Sequence, residues 1–164
     1  MALQWDALAT GQTSVMLHSQ ADIYHKPMGC TWINYTRCHD DIGLGFSDEA
    51  IYKAGFNPFE HRKFLKEYYS GMFAGSEASG LLFAINPKTQ DARISGTLAS
   101  LCGLETEKKT QSSTLIDQAI KKIIILQANS IFLGGIPMLF YGDEVGYTND
   151  YSYENDLGKS YDNR

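Results

Sequence analysis

An arginine, a histidine and two adjacent aspartates sit at Arg37, His39, Asp40 and Asp41, where the run Thr31-Trp32-Ile33-Asn34-Tyr35-Thr36 ends. The run is rich in β-branched and aromatic residues and has the length of one strand, so the charged groups are expected to project from its carboxyl end. In an α/β barrel that end carries the chemistry. A guanidinium, an imidazole and a carboxylate held together tune one another's proton affinity and can bind hydroxyl groups or a developing positive charge. Oxocarbenium-like chemistry on a sugar ring uses such a set. A polar strand-to-loop turn with a salt bridge explains the same four residues equally well, so the motif alone leaves both readings open. A shared metal ion fits less well, because neighbouring aspartates on a strand point to opposite faces.

The stretch Tyr35-Thr36-Arg37-Cys38-His39-Asp40-Asp41-Ile42-Gly43 resembles the strand-seven motif of the α-amylase clan of glycoside hydrolases, and in particular its amylosucrase branch. Further segments match in the same order: His61-Arg62, Asn86-Pro87 followed by Arg93-Ile94-Ser95-Gly96-Thr97, Tyr141-Gly142-Asp143-Glu144-Val145-Gly146, and Asp162-Asn163-Arg164. Together they span essentially the whole chain. The resemblance implies an α/β fold, namely part of a (β/α)8 barrel from about strand 6 to strand 8, with an α/β subdomain inserted after strand 7. It also implies a retaining enzyme that transfers or hydrolyses α-glucosyl units of sucrose or α-glucans. By that resemblance Asp40 stabilises the transition state and His39 and Arg37 contact the glucosyl unit. Asp41 shapes the acceptor side, Arg62 and Arg93 line the pocket from the inserted unit, and Arg164 forms an ion pair that closes it. Leu44 departs from the tryptophan that many relatives carry there.

A retaining glycosidase needs a nucleophile and an acid/base about 5 Å apart. The resemblance assigns both to earlier strands, so the chain is expected to be a fragment whose N-terminal counterpart supplies them. The isolated chain is then expected to be inactive.

Length agrees with that expectation, since 164 residues make one ordinary domain but fall short of the roughly 250 of a complete barrel. The formal net charge of −5 and the lack of a basic cluster argue against nucleic acid or an anionic membrane as partner. No cofactor motif is present, and no metal or cofactor is expected. Cys30, Cys38 and Cys102 are an odd set without metal-ligand spacing, which suits free thiols packed in a reduced, cytoplasmic setting. The start of the chain lacks the basic and apolar regions of a signal peptide. The strongest apolar stretch, 123–141, is interrupted by Gln127, Asn129, Gly134, Gly135 and Pro137 and does not read as a membrane span.

Three segments are expected. Residues 1–43 form a barrel segment ending in the His-Asp-Asp strand, residues 44–112 an inserted subdomain, and residues 113–164 a barrel helix, the last strand and an active-site loop. The insertion is far longer than the 2–6 residues of an ordinary βα loop. Within it, Asn57-Pro58 should start a helix whose apolar face carries Phe64, Leu65, Tyr68 and Met72, with His61 and Arg62 beside that face. Residues 81–85 and 92–94 read as strands around a loop, 97–104 as a short helix, and 105–112 as a solvated linker.

Thr114 and Asp117 read as a capping box for a helix that Gly134-Gly135 stops. Residues 136–141 then read as a short buried strand that delivers Asp143 and Glu144 to the same rim as His39, if the two strands run parallel. The simpler reading of this acidic pair is structural, with carboxylates accepting loop amides. The polar tail from Tyr147 carries Tyr151, Tyr153 and Tyr161, which suit either a sugar-binding loop or a loosely ordered end. As an alternative, the chain is a non-catalytic module that binds glucan or associates with itself through exposed sheet edges.

Overall fold

Side-chain caps and glycines set the boundaries of most elements in the computed structural model, which describes residues 1–20 and 25–161. Helix α1 (Ala2–Thr10) ends at Gly11, whose φ of 66° only glycine adopts without strain. Helix α2 (Ser14–Ser19) follows, and then strand β1 (Ile33–Asn34). The Ser47 hydroxyl accepts the amide of Ala50 to start α3 (Asp48–Lys53). Asn57 accepts the amides of Phe59 and Glu60 to start α4 (Pro58–Tyr69). Strands β2 (Leu81–Phe83) and β3 (Arg93–Ser95) form an antiparallel hairpin with Leu82 opposite Ile94. Thr97 caps α5 (Leu98–Leu101), α6 (Leu104–Thr110) comes next, and Ser112 caps α7 (Ser113–Phe132). Strand β4 (Ile136–Pro137) and two 3-10 turns, Asp143–Val145 and Ser152–Asn155, complete the described chain.

One apolar cluster joins all three parts of the sequence. Trp5 and Val15 meet Leu65 and Tyr69 of α4, Ile42 and Ile94 beside the hairpin, and Leu126 of α7. Each large aliphatic side chain buried there contributes about 1.5–3 kcal/mol. Polar atoms fix the packing. The Trp5 indole N–H donates to the Thr36 carbonyl at 2.9 Å and the Tyr69 hydroxyl to the Trp5 carbonyl at 2.5 Å. The two rings meet edge to face at 5.3 Å.

The barrel expectation is overturned. Helix makes up 45% of the structure and strand 7%. Among the described residues there are four strands of two or three residues, divided between two separate two-stranded sheets. The physical reason lies in what covers them. A parallel barrel requires apolar cover on both faces of its sheet and a neighbour on each side of every strand. Here β1 pairs only with β4, in parallel, with Ile33 opposite Ile136, and both isoleucines stay exposed. Pro137 brings no N–H to a further ladder. The chain from Tyr35 onward turns to wrap the Arg37 guanidinium instead of extending. Residues 136–141, expected as a buried strand, are for the same reason a two-residue strand with exposed side chains.

Other local expectations change with it. The cap of α7 is Ser112, not Thr114. Residues 105–112 are mostly the helix α6, and Glu105 is buried rather than solvated. His61 is buried as well, its Nε2 2.5 Å from Asp6 Oδ1. Cys30 is exposed, not a packing residue. No helix among the described residues is long and apolar enough to cross a membrane.

Candidate functional site

The parallel pairing of β1 with β4 sets the segments that follow both strands side by side. Between them and the end of the chain lies a cleft of about 710 Å³, lined by Arg37, His39, Asp143 and a wall of Tyr141, Tyr147, Tyr151 and Tyr153. Gly142 has a φ of 96°, and a Cβ there would sit 2.7 Å from the Tyr147 ring. The missing side chain is what lets Tyr147 fold over the turn.

Arg37 forms the floor and is 5% exposed. Its Nε donates to the Gly96 carbonyl at 2.6 Å, and its Nη1 donates to the carbonyls of Cys38 and Asp40. A planar fork fits several acceptors at once, so three carbonyls from two backbone segments converge on one side chain. Burial lowers the Arg37 pKa, and the negative fields of Cys38, Asp143, Asp40 and Asp41 push it back up.

Asp143 has its carboxyl pushed up to about 6, first by burial and further by Glu144, against the pull of Arg37. It therefore changes charge near neutral pH and can give or take a proton there. Gln127 Nε2 donates to its Oδ2 at 3.4 Å. Glu144 accepts the Gly142 amide at 2.8 Å, the structural use the sequence suggested for this pair.

The sequence-derived residues divide. Arg37 and His39 line the cleft, with His39 exposed at its mouth. Asp40 is half-buried beside them and outside the lining, and its Oδ1 accepts the Asp41 amide at 3.1 Å. The Asp41 carboxylate is buried, its Oδ2 3.3 Å from Arg93 Nη1 while its Oδ1 has no hydrogen-bond partner. Arg93 is largely exposed. Arg62 lies elsewhere in the insertion: its Nη2 donates to the Phe46 carbonyl at 2.8 Å, and Nη1 is 2.6 Å from Asp48. Arg164, like Asp162 and Asn163, lies outside the described residues.

Two groups escaped the sequence reading. One is the buried Asp6–His61 pair, which stacks on Phe56 at 4.8 Å beside a smaller cavity of about 340 Å³. The other is Asn149, whose side chain bonds three other residues at the edge of the main cleft. An asparagine in a Tyr-rich tail was its only signal. Among the described residues, no three His, Cys, Asp or Glu side chains are placed to hold a metal ion. Compared with models of known protein families, the chain matches none. The amylosucrase resemblance thus rests on its motif residues.

Proposed function

We propose that the chain supplies the sugar-binding part of a retaining enzyme that transfers or hydrolyses α-glucosyl units of sucrose or α-glucans. The observation that carries this reading is the convergence of Arg37, His39 and Asp143 on one cleft walled by four tyrosines. Tyrosine faces cover the C–H faces of a sugar ring, and a few directed polar groups select its hydroxyls. The volume falls within the ~300–1,000 Å³ typical of small-molecule sites.

In this reading Arg37 and His39 hold the glucosyl unit, and Asp40 stabilises its developing positive charge once the site is assembled. Asp41 shapes the acceptor side with Arg93 beside it, and Arg164 forms the ion pair that closes the pocket. The nucleophile and the acid/base come from a further, N-terminal part of the enzyme in the cytoplasm, so the isolated chain binds without turning over. No cofactor is called for.

The direct test is calorimetric titration of the chain with sucrose and with maltoheptaose. Saturable binding that Tyr147→Ala abolishes supports the reading, and no binding of either sugar sinks it. In the assembled enzyme, Asp40→Asn should lower kcat by about two to three orders of magnitude with the fold intact.

A second reading has its own observation. Ile124, Ile125 and Phe132 of α7 and the paired Ile33 and Ile136 of the parallel strands are all exposed apolar side chains. Exposed apolar side chains beside a two-stranded sheet favour association with a second copy or with the N-terminal part of the enzyme. Sedimentation of the isolated chain decides the first case: a single monomeric species at high concentration would remove self-association.

A further inference from the structure

Four residues close a ring of hydrogen bonds at the edge of the cleft. The Asn149 main-chain N–H donates to Ser100 Oγ at 2.8 Å, and Ser100 Oγ donates to Glu105 Oε2 at 2.8 Å. The Tyr151 hydroxyl donates to the same carboxylate at 3.0 and 3.2 Å, and Asn149 Nδ2 donates to the Tyr151 oxygen at 3.2 Å. The Asn149 side chain reaches further still. Its Oδ1 accepts the Thr97 amide at 2.8 Å, and its Nδ2 donates to the Ser79 carbonyl at 2.6 Å. One side chain thus spends its acceptor on one segment and both donors on two others, which only a carboxamide can do.

The placement gives the ring its consequence. Ser79, Thr97, Ser100 and Glu105 belong to the β2–β3 hairpin region and to α5 and α6, the frame whose Gly96 carbonyl also holds Arg37. Asn149 and Tyr151 belong to the segment that carries the tyrosine wall. The same frame therefore fixes both sides of the cleft, and closed networks of this kind rigidify the groups they join.

We propose that Asn149 is the positioning residue of the cleft, holding residues 147–159 so that Tyr147, Tyr151 and Tyr153 stand opposite Arg37 before any ligand arrives. The ligand arm of this inference rests on the carbohydrate reading above; the ordering arm does not. A wall ordered in advance leaves less conformational entropy to be lost on binding, so affinity depends on a residue that need not touch the sugar.

The experiment is hydrogen–deuterium exchange on the full chain and its Asn149→Asp variant, joined to calorimetry with maltoheptaose. The aspartate keeps the shape and loses both Nδ2 donors. Exchange within 147–159 is expected to quicken at least tenfold while α4 and α7 keep their protection, and maltoheptaose affinity is expected to fall tenfold or more. Unchanged exchange in 147–159 overturns the proposal. So does an equal loss of protection in α4 and α7, which would make Asn149 a general determinant of folding. Should Asn149→Asp fail to fold, Tyr151→Phe opens the ring by a single hydroxyl, and local quickening in that variant is required. If the unaltered chain binds no maltoheptaose, the sugar reading fails while the exchange result still decides the role of Asn149.

Discussion

His61 Nε2 lies 2.5 Å from Asp6 Oδ1, with both side chains almost wholly removed from water, and this contact ties α1 to α4. Burial raises the Asp6 pKa and the His61 contact works against that rise. A carboxyl whose folded pKa exceeds its unfolded value adds stability that is complete below the unfolded pKa, and that stability is lost as pH climbs through the folded one. His61 offsets this loss. We expect His61→Ala to cost about 3–5 kcal/mol at pH 7, because the carboxylate is left buried and unpaired. The cost should shrink near pH 4, where Asp6 can accept a proton. Urea denaturation at the two pH values checks it, and equal losses at both would mean the pair is not held by charge.

Asp143 should titrate at about 6 in the folded chain. Its stabilising contribution is complete below about 3.8 and disappears as pH rises through 6. Asp143→Asn is therefore expected to be more stable than the unaltered chain at pH 7, by no more than about 1 kcal/mol because solvent screens a half-exposed carboxylate. Glu144→Gln should lower the midpoint, since Glu144 helps to raise it. Carbon-detected NMR of the carboxyl carbon reads both effects, and a midpoint near 4 would remove Asp143 as a proton donor at neutral pH.

Arg37→Lys keeps the charge and loses the fork. An ammonium cannot reach the carbonyls of Cys38, Asp40 and Gly96 together, so buried acceptors lose their donors at about 1–3 kcal/mol each. A total loss of about 2–4 kcal/mol is expected in urea denaturation. A loss under about 0.5 kcal/mol would show that water or a neighbour replaces the guanidinium at no cost.

The three thiols should separate by reactivity. Cys30 is exposed and Cys102 is buried, with its pKa pushed up to about 12 by burial. The thiolate is the reacting form, so iodoacetamide at pH 8 should modify Cys30 first and leave Cys102 untouched in the native chain. Peptide mapping by mass spectrometry follows the order. Labelling of Cys102 at the rate of Cys30 would reveal opening of the core around Leu101 and Tyr69.

Local signals in the sequence were read with success where the cause was local. Asn57-Pro58 does start α4, Thr97 does start a short helix, 81–83 and 93–95 do form strands, and α7 does stop before Gly134-Gly135. The Thr114-Asp117 box is a local signal that failed, because Ser112 two residues earlier caps α7; the other failures came where the cause lies elsewhere in the chain. The apolar run from Thr31 looks the same whether or not further strands flank it, and among the described residues only β4 does. His61 and Glu105 look like solvated residues on their own elements, and are buried where Asp6 and Phe56 meet the first and Ser100 and Tyr151 the second. At the site, Arg37, His39, Asp143 and the tyrosines could be picked out by residue type. Asn149 could not, since its partners are 49 to 70 residues away except for Tyr151.

The pairing of Ile33 with Ile136 also orders events in time. Closing a loop of about a hundred residues costs roughly 4 kcal/mol of chain entropy, so β1 gains little by waiting for β4 in an unfolded chain. The span shortens once Ile42 has bridged Ile94 and α7 has packed on Trp5 and Leu65. During synthesis at about 5–20 residues per second, β1 leaves the ribosome some 5–20 s before its partner exists. For that interval Ile33 is without its partner strand, and the cleft cannot form. Pulse-labelled exchange during refolding should find the amides of Ile136 and Met138, which donate to the carbonyls of Trp32 and Asn34 at 2.9 and 2.8 Å, among the last to gain protection, which makes the cleft the last part of the molecule to be completed.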